Sequence, residues 1–181
     1  WTFRGNGQLD GSDVVLSEHQ LLVSNATRTY ALNPAKSSFK FEIRDLLLRD
    51  NGTEQPPDAF EVALTTQASG GSTSFFGRIS TLSKTDGLLN IQRDGTYYAG
   101  SGITVTGTVL TNGKLDLAKP IMVTVDISAL SQGTNGTLSF DLIGFGVPSS
   151  SARIIIPEGE NTQNSIAGFV YVDSNNNGTF D

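Results

Sequence analysis

Asp58-Ala59-Phe60-Glu61-Val62-Ala63-Leu64 is the stretch on which the fold class turns. Phe60, Val62 and Leu64 recur at every second residue, the period of a strand with one face in a core, while Ala59, Glu61 and Ala63 point the other way. A carboxylate is thereby set between two alanines. Glu61 is expected to be shielded, and to need hydrogen bonds, a cation or a metal to offset its lost hydration. The chain leading in, Asp45-Leu46-Leu47-Leu48-Arg49-Asp50-Asn51-Gly52-Thr53-Glu54-Gln55-Pro56-Pro57, is acidic. Hard oxygen ligands gathered on one loop suit calcium, and the expected ligands are Asp45, Asp50, Asn51, Asp58 and Glu61, with Glu54 close by. The other reading is a solvated turn in which the Asp and Asn side chains bond only the backbone.

Upstream, Phe39, Phe41 and Ile43 alternate with Lys40, Glu42 and Arg44, a half-buried strand. Leu46-Leu47-Leu48 breaks the alternation, which predicts a bulge or a turn into the acidic loop. Val14-Val15-Leu16 and Gln20-Leu21-Leu22-Val23 predict one or two short strands behind an irregular, Gly-rich start. Downstream, Gln67 to Thr73 reads as a flexible turn and Ser74 to Ile79 as a strand. Leu88 to Gln92 and Thr96 to Tyr98 flank Arg93-Asp94-Gly95, a hairpin signal because Asp-Gly accepts positive φ. Ile103, Val105, Gly107 and Val109 alternate with threonines as far as Leu110, and Asn112-Gly113 then turns the chain. Ile121 to Ile127 and Leu138 to Ile143 alternate in the same way. About ten short strands with turns between them, and no amphipathic helix, predict an all-β, two-sheet antiparallel sandwich of jelly-roll type over residues 1–156. Arg153-Ile154-Ile155-Ile156 is expected to be an exposed strand edge.

The 181 residues carry 12 Lys and Arg against 18 Asp and Glu, a net charge of −6. Without a basic field, nucleic acid and anionic membranes are poor partners. Apolar runs are far too short for a bilayer span, so no membrane insertion is expected. The chain has no cysteine, which excludes disulfides, zinc-thiolate sites and thiol catalysis. His19 is the single histidine and can anchor neither a usual zinc site nor a Ser-His-Asp triad by itself. The Gly, Ser, Thr and Asn content matches an extracellular or cell-surface β module better than a cytoplasmic enzyme.

Residues 157–165 are polar and aperiodic, and read as a linker. Ile166 to Val172 starts another strand, which runs into Asp173-Ser174-Asn175-Asn176-Asn177-Gly178-Thr179-Phe180-Asp181. Asp173, Asn175, Asn177, Thr179 and Asp181 then occupy the alternating ligand places of an EF-hand-like calcium loop, with Gly178 at its sharp bend. The closing acid of such a loop would lie beyond Asp181, so weak or no binding is expected from these residues alone. The alternative is a plain Asn-Gly turn.

Ile166 to Asp181 resembles the opening of the B-type repeats of serine-aspartate-repeat surface proteins, which implies the beginning of a second β module over residues 166–181. Separately, Phe41-Glu-Ile-Arg-Asp-Leu46, the Asp58 to Leu64 strand, Val123 to Thr134 and Leu138 to Gly146 resemble β-sandwich modules of large secreted or cell-surface proteins of environmental bacteria, cyanobacteria among them. That resemblance implies an ancillary, non-catalytic part beside adhesins, calcium-binding repeats or hydrolases, and names no ligand.

Three function classes are weighed. An adhesion or carbohydrate-binding module would bind a polysaccharide or other cell-surface ligand by stacking exposed aromatic rings on sugar faces; its candidates are Arg93, Asp94, Tyr97 and Tyr98 on one hairpin, with Phe75, Phe76 and Trp1 as further rings. A structural subunit of a stalk, coat or filament would self-associate through strand edges. An enzyme is disfavoured: Asp126 with Asp141, or Glu42 with Glu61, offers carboxylate pairs, but no spacing selects either, and no nucleophile elbow or phosphate loop is present. The expectation is a calcium-stabilised, non-catalytic extracellular module.

Overall fold

The computed structural model describes residues 1–19, 23–31, 37–49, 58–68, 71–75, 87–129, 135–144 and 150–157. Among them there are thirteen strands and no helix. In chain order these are β1 Thr2–Arg4, β2 Asn6–Asp10, β3 Asp13–Ser17, β4 Val23–Ala31, β5 Ser38–Leu47, β6 Ala59–Ala68, β7 Gly71–Ser74, β8 Leu89–Gln92, β9 Tyr97–Ala99, β10 Ile103–Thr106, β11 Ile121–Asp126, β12 Asn135–Ile143 and β13 Ser151–Ile155. Among the described residues, no helix is long and apolar enough to cross a membrane.

The strands form two antiparallel sheets. One runs β1-β4-β12-β6-β8-β9, with β7 paired to the far end of β6, and the other runs β10-β11-β5-β13-β3-β2. From β3 to β6, and again from β11 to β13, each strand crosses to the opposite sheet from the one before. The inner orders β4-β12-β6-β8 and β3-β13-β5-β11 are the result, the wrapped double Greek key of a jelly roll. Gly5 makes the first crossing by itself. At φ +71° it carries the chain from β1, paired to β4, to β2, paired to β3 in the other sheet.

The core lies between the sheets and is built from alternate residues of each. Phe60, Val62 and Leu64 of β6, Leu138, Phe140 and Leu142 of β12, and Leu89 and Ile91 of β8 face Phe41 and Ile43 of β5, Ile121, Val123 and Val125 of β11, and Ile154 of β13. Phe140 is the junction. Its ring meets Phe41 of the opposite sheet edge-on at 5.2 Å, stacks on Phe60 at 6.3 Å and lies 5.7 Å from Trp1. Aromatic pairs in these offset and edge geometries add to the area they bury.

The break at the three leucines is a bulge. Between β13 and β5, Ser151 opposes Leu47 and Arg153 opposes Arg44, so three steps along β5 match two along β13. Asp45, at φ +50°, absorbs the extra residue and returns Leu46 and Leu48 to the core while Leu47 faces out.

Four expectations are corrected. Arg153 to Ile156 is no edge, because β13 is paired on one side to β3 and on the other to β5, at the middle of its sheet. Gln67 to Thr73 is not simply a flexible turn: β6 extends to Ala68 and pairs with β7 through Thr65–Ser74 and Ala68–Gly71, despite the poor strand propensity of Gly and Ser. The opening segment is regular and supplies three strands, β1, β2 and β3. The alternation from Ile103 loses its strand after Thr106, where the pairing with β11 ends, and Val109 is exposed.

Replacing Phe140 removes contacts to three rings at once. The variant Phe140→Ala is expected to lose about 3–5 kcal/mol of stability, measured as a lowered urea midpoint.

Candidate functional site

Three of the expected calcium ligands fall within the described residues, and the structure sends them to three places. Asp45 is 82% exposed on the outer face of its sheet, 3.9 Å from the Arg153 guanidinium. Arg153 also pairs with Asp10 at 2.8 Å and Asp13 at 2.9 Å, and these acids hold its pKa above the ordinary value. Asp58 is buried at the start of β6, where the Ser150 hydroxyl donates to its Oδ2. Glu61 is fully buried and accepts from Asn90 Nδ2 at 2.7 Å. Asp50, Asn51, Asp173, Asn175, Asn177, Thr179 and Asp181 lie outside the described residues. Among the described residues, no group of three or more His, Cys, Asp or Glu side chains is arranged to hold a metal ion.

A second acid joins Asp58. Ser150 donates its backbone N–H to Glu18 Oε2 at 2.7 Å, and its hydroxyl also accepts from the Arg49 N–H at 2.9 Å. Ser150 therefore ties together the ends of β3, β5, β6 and β13. The other oxygens of the two acids come together over Gly144, where a Cβ would lie 2.5 Å from Glu18 Oε1 and 2.6 Å from Asp58 Oδ1. Only a glycine fits below these two buried carboxylates. Glu18 carried no sequence signal, because its partner is more than a hundred residues away.

Glu61 belongs to a polar row on the outer face of the β12 sheet. Asn25 of β4 opposes Asp141 of β12, Asp141 opposes Glu61, Glu61 opposes Asn90 of β8, and Asn90 opposes Tyr98 of β9. Glu61, Asp141 and Asn90 are all buried, so the middle of this row is not turned to water. Asn25 Nδ2 and the Ser139 hydroxyl both donate to Asp141, the latter at 3.0 Å. Neither carboxylate pair weighed from the sequence forms. Asp126 and Glu42 lie in the other sheet, and the acids that meet are Glu61 and Asp141. Being buried, they do not line an open cleft.

Of the hairpin residues, Arg93, Asp94 and Tyr98 come together. Gly95, at φ +80°, closes the turn by donating to Gln92 O at 2.9 Å, and its carbonyl accepts from the Leu115 N–H at 3.0 Å. Gln92, Arg93, Asp94, Thr96 and Tyr98 line a surface cleft of about 290 Å³. Tyr98 is 49% exposed. Tyr97, opposite core-facing Ile91, lies on the inner side of the edge strand and is also exposed, but it does not line this cleft. Arg93 and Asp94 border a second, larger groove of about 620 Å³ on the other side of the turn, with Leu47 and Leu110 on its walls. Asp94 is held in place twice, by the Lys114 ammonium and by the Thr96 N–H at 2.9 Å. These bonds, Lys114 first, keep its pKa well below the usual carboxylate range.

No protein family, curated protein or solved structure matches the chain. Its function is therefore read from its own geometry.

Two measurements follow from this geometry. Because Asp94 has a depressed pKa in the fold, its pairing contributes above the ordinary carboxylate pKa and is lost only as pH falls through the lower folded value. Its carboxyl resonance should therefore not titrate between pH 7 and about pH 3, and Lys114→Ala should return it toward about 3.9. Ser150→Ala removes bonds to Asp58 and from Arg49, and is expected to cost about 1–3 kcal/mol in urea unfolding.

Proposed function

We propose that this jelly roll is a non-catalytic binding module of an extracellular or cell-surface bacterial protein, that it takes a polysaccharide at the β8–β9 hairpin, and that calcium stabilises it. The observation that carries this reading is the cleft of Gln92, Arg93, Asp94, Thr96 and Tyr98. A half-exposed tyrosine ring on an edge strand offers a flat apolar face to the C–H face of a pyranose. Beside it, an amide, a guanidinium, a hydroxyl and a carboxylate held ionised supply hydrogen bonds of both polarities to sugar hydroxyls. An open cleft of this kind suits a polymer surface better than a small enclosed ligand.

Calcium enters through the chemistry of the donors. Glu18 Oε1 and Asp58 Oδ1 both lie over Gly144, where a Cβ would clash with them, and Asp58 follows directly on the acidic stretch. Oxygen donors of this charge fit a hard divalent ion. Asp58 and Glu18 would hold it, whereas Asp45 pairs with Arg153 and Glu61 accepts from Asn90. The resemblance of Ile166 to Asp181 to a calcium loop supports a second ion there and a surface-protein context.

A polysaccharide array followed by calorimetry tests the reading. Tyr98→Ala is expected to lower affinity at least about tenfold while leaving the unfolding free energy within about 0.5 kcal/mol of wild type, as for an exposed side chain. An unchanged affinity would remove the cleft. Chelation by EDTA is expected to lower the melting temperature, and Asp58→Asn to reduce that calcium dependence.

A further inference from the structure

The cleft is wired to the buried polar row behind it. Gln92, on the cleft wall, and Asn90 lie two residues apart on the same face of β8, and Gln92 Nε2 donates to Asn90 Oδ1. Asn90 in turn donates its Nδ2 to Glu61 Oε1 at 2.7 Å. The three side chains thus form one directed relay running from the cleft into a fully buried carboxylate.

We propose that Glu61, which touches no ligand, is the positioning residue that fixes the hydrogen-bond polarity of the cleft. A carboxylate can only accept. Asn90 must therefore turn its NH2 toward Glu61, which leaves its carbonyl for Gln92, and Gln92 must answer with its own NH2. The Gln92 carbonyl is directed away from Asn90 and presents an acceptor to whatever occupies the cleft. Hydrogen bonds linked in one direction also polarise one another. Resting on the carbohydrate reading, this assigns the ligand class: a neutral or amino sugar that offers hydroxyl or ammonium donors to Gln92, in preference to one offering a carboxylate or sulfate at that point.

The test exchanges acceptor and amide along the relay. Glu61→Gln keeps the shape but supplies both a donor and an acceptor, so either direction becomes allowed. Adding Asn90→Asp to it restores a carboxylate in the relay: the new amide at position 61 donates to it, and Gln92 must again donate to it as well. Side-chain amide hydrogen exchange by NMR, on the unliganded protein, is expected to show a protected Gln92 NH2 in wild type, at least about tenfold faster exchange in Glu61→Gln, and recovery in the double variant, the size of one hydrogen bond. Affinity for a neutral polysaccharide should follow the same order. A Gln92 NH2 exchanging at the rate of a free amide in wild type overturns the proposal, even if no variant folds. So does a double variant that folds and leaves Gln92 as unprotected as the single one. Protection that follows the expected order, in a protein for which no polysaccharide on the array shows any affinity, would keep the relay and sink the carbohydrate reading.

Discussion

The inward direction of Phe140 constrains everything on both faces of its sheet. A strand has a period of two, so fixing this ring against Phe41 of the facing sheet fixes Ser139 and Asp141 outward. The ladder transmits the choice. Phe60 opposes Leu142 and Ile91, which sets Glu61 beside Asp141 and Asn90, and two residues further along β8 it sets Gln92 on the same outer side. The polar row and the cleft wall are therefore the reverse side of the hydrophobic core. A slip of one residue in β6 or β12 would bury Glu61 or Asp141 among phenylalanines, at a desolvation cost no neighbouring amide could offset.

Much of this architecture was legible in the chain. The alternation of Phe39, Phe41 and Ile43, of Phe60, Val62 and Leu64, and of Ile121, Val123 and Val125 names strands and inner faces correctly, because facing-sheet burial writes itself into every second residue. The three leucines predict a bulge or a turn, and a bulge forms beside them at Asp45; Asp94-Gly95 predicts the hairpin that carries the cleft. Glu61 between Ala59 and Ala63 is shielded as expected, all three being fully buried. An amide from the neighbouring strand supplies one hydrogen bond toward offsetting the lost hydration of Glu61.

What periodicity leaves open is which strand lies beside which. The short apolar run Arg153 to Ile156 reads equally well as an edge or a centre, and only the return of β13 between β3 and β5 decides for the centre. The same limit hides the acids. Glu18 meets Asp58 through Ser150, and Asp141 meets Glu61, across separations of 40 to 132 residues that only the sheet order closes. The leucine that becomes exposed at the bulge, Leu47, and the Gly144 that admits two carboxylates carry no local signal at all, since their roles are set by groups from other strands.

Gly5 gives the opening segment a disproportionate part. Residues 2–4 pair with Asn25 to Thr27 of β4 and residues 6–10 pair with β3, so one short strap ends both sheets on this side. A nick or truncation in this strap would bare two rows of unpaired backbone groups simultaneously, one on each layer of the sandwich. Bare rows of that kind template pairing with other chains. By ending each sheet in a short strand, residues 2–10 limit such templating at these two edges.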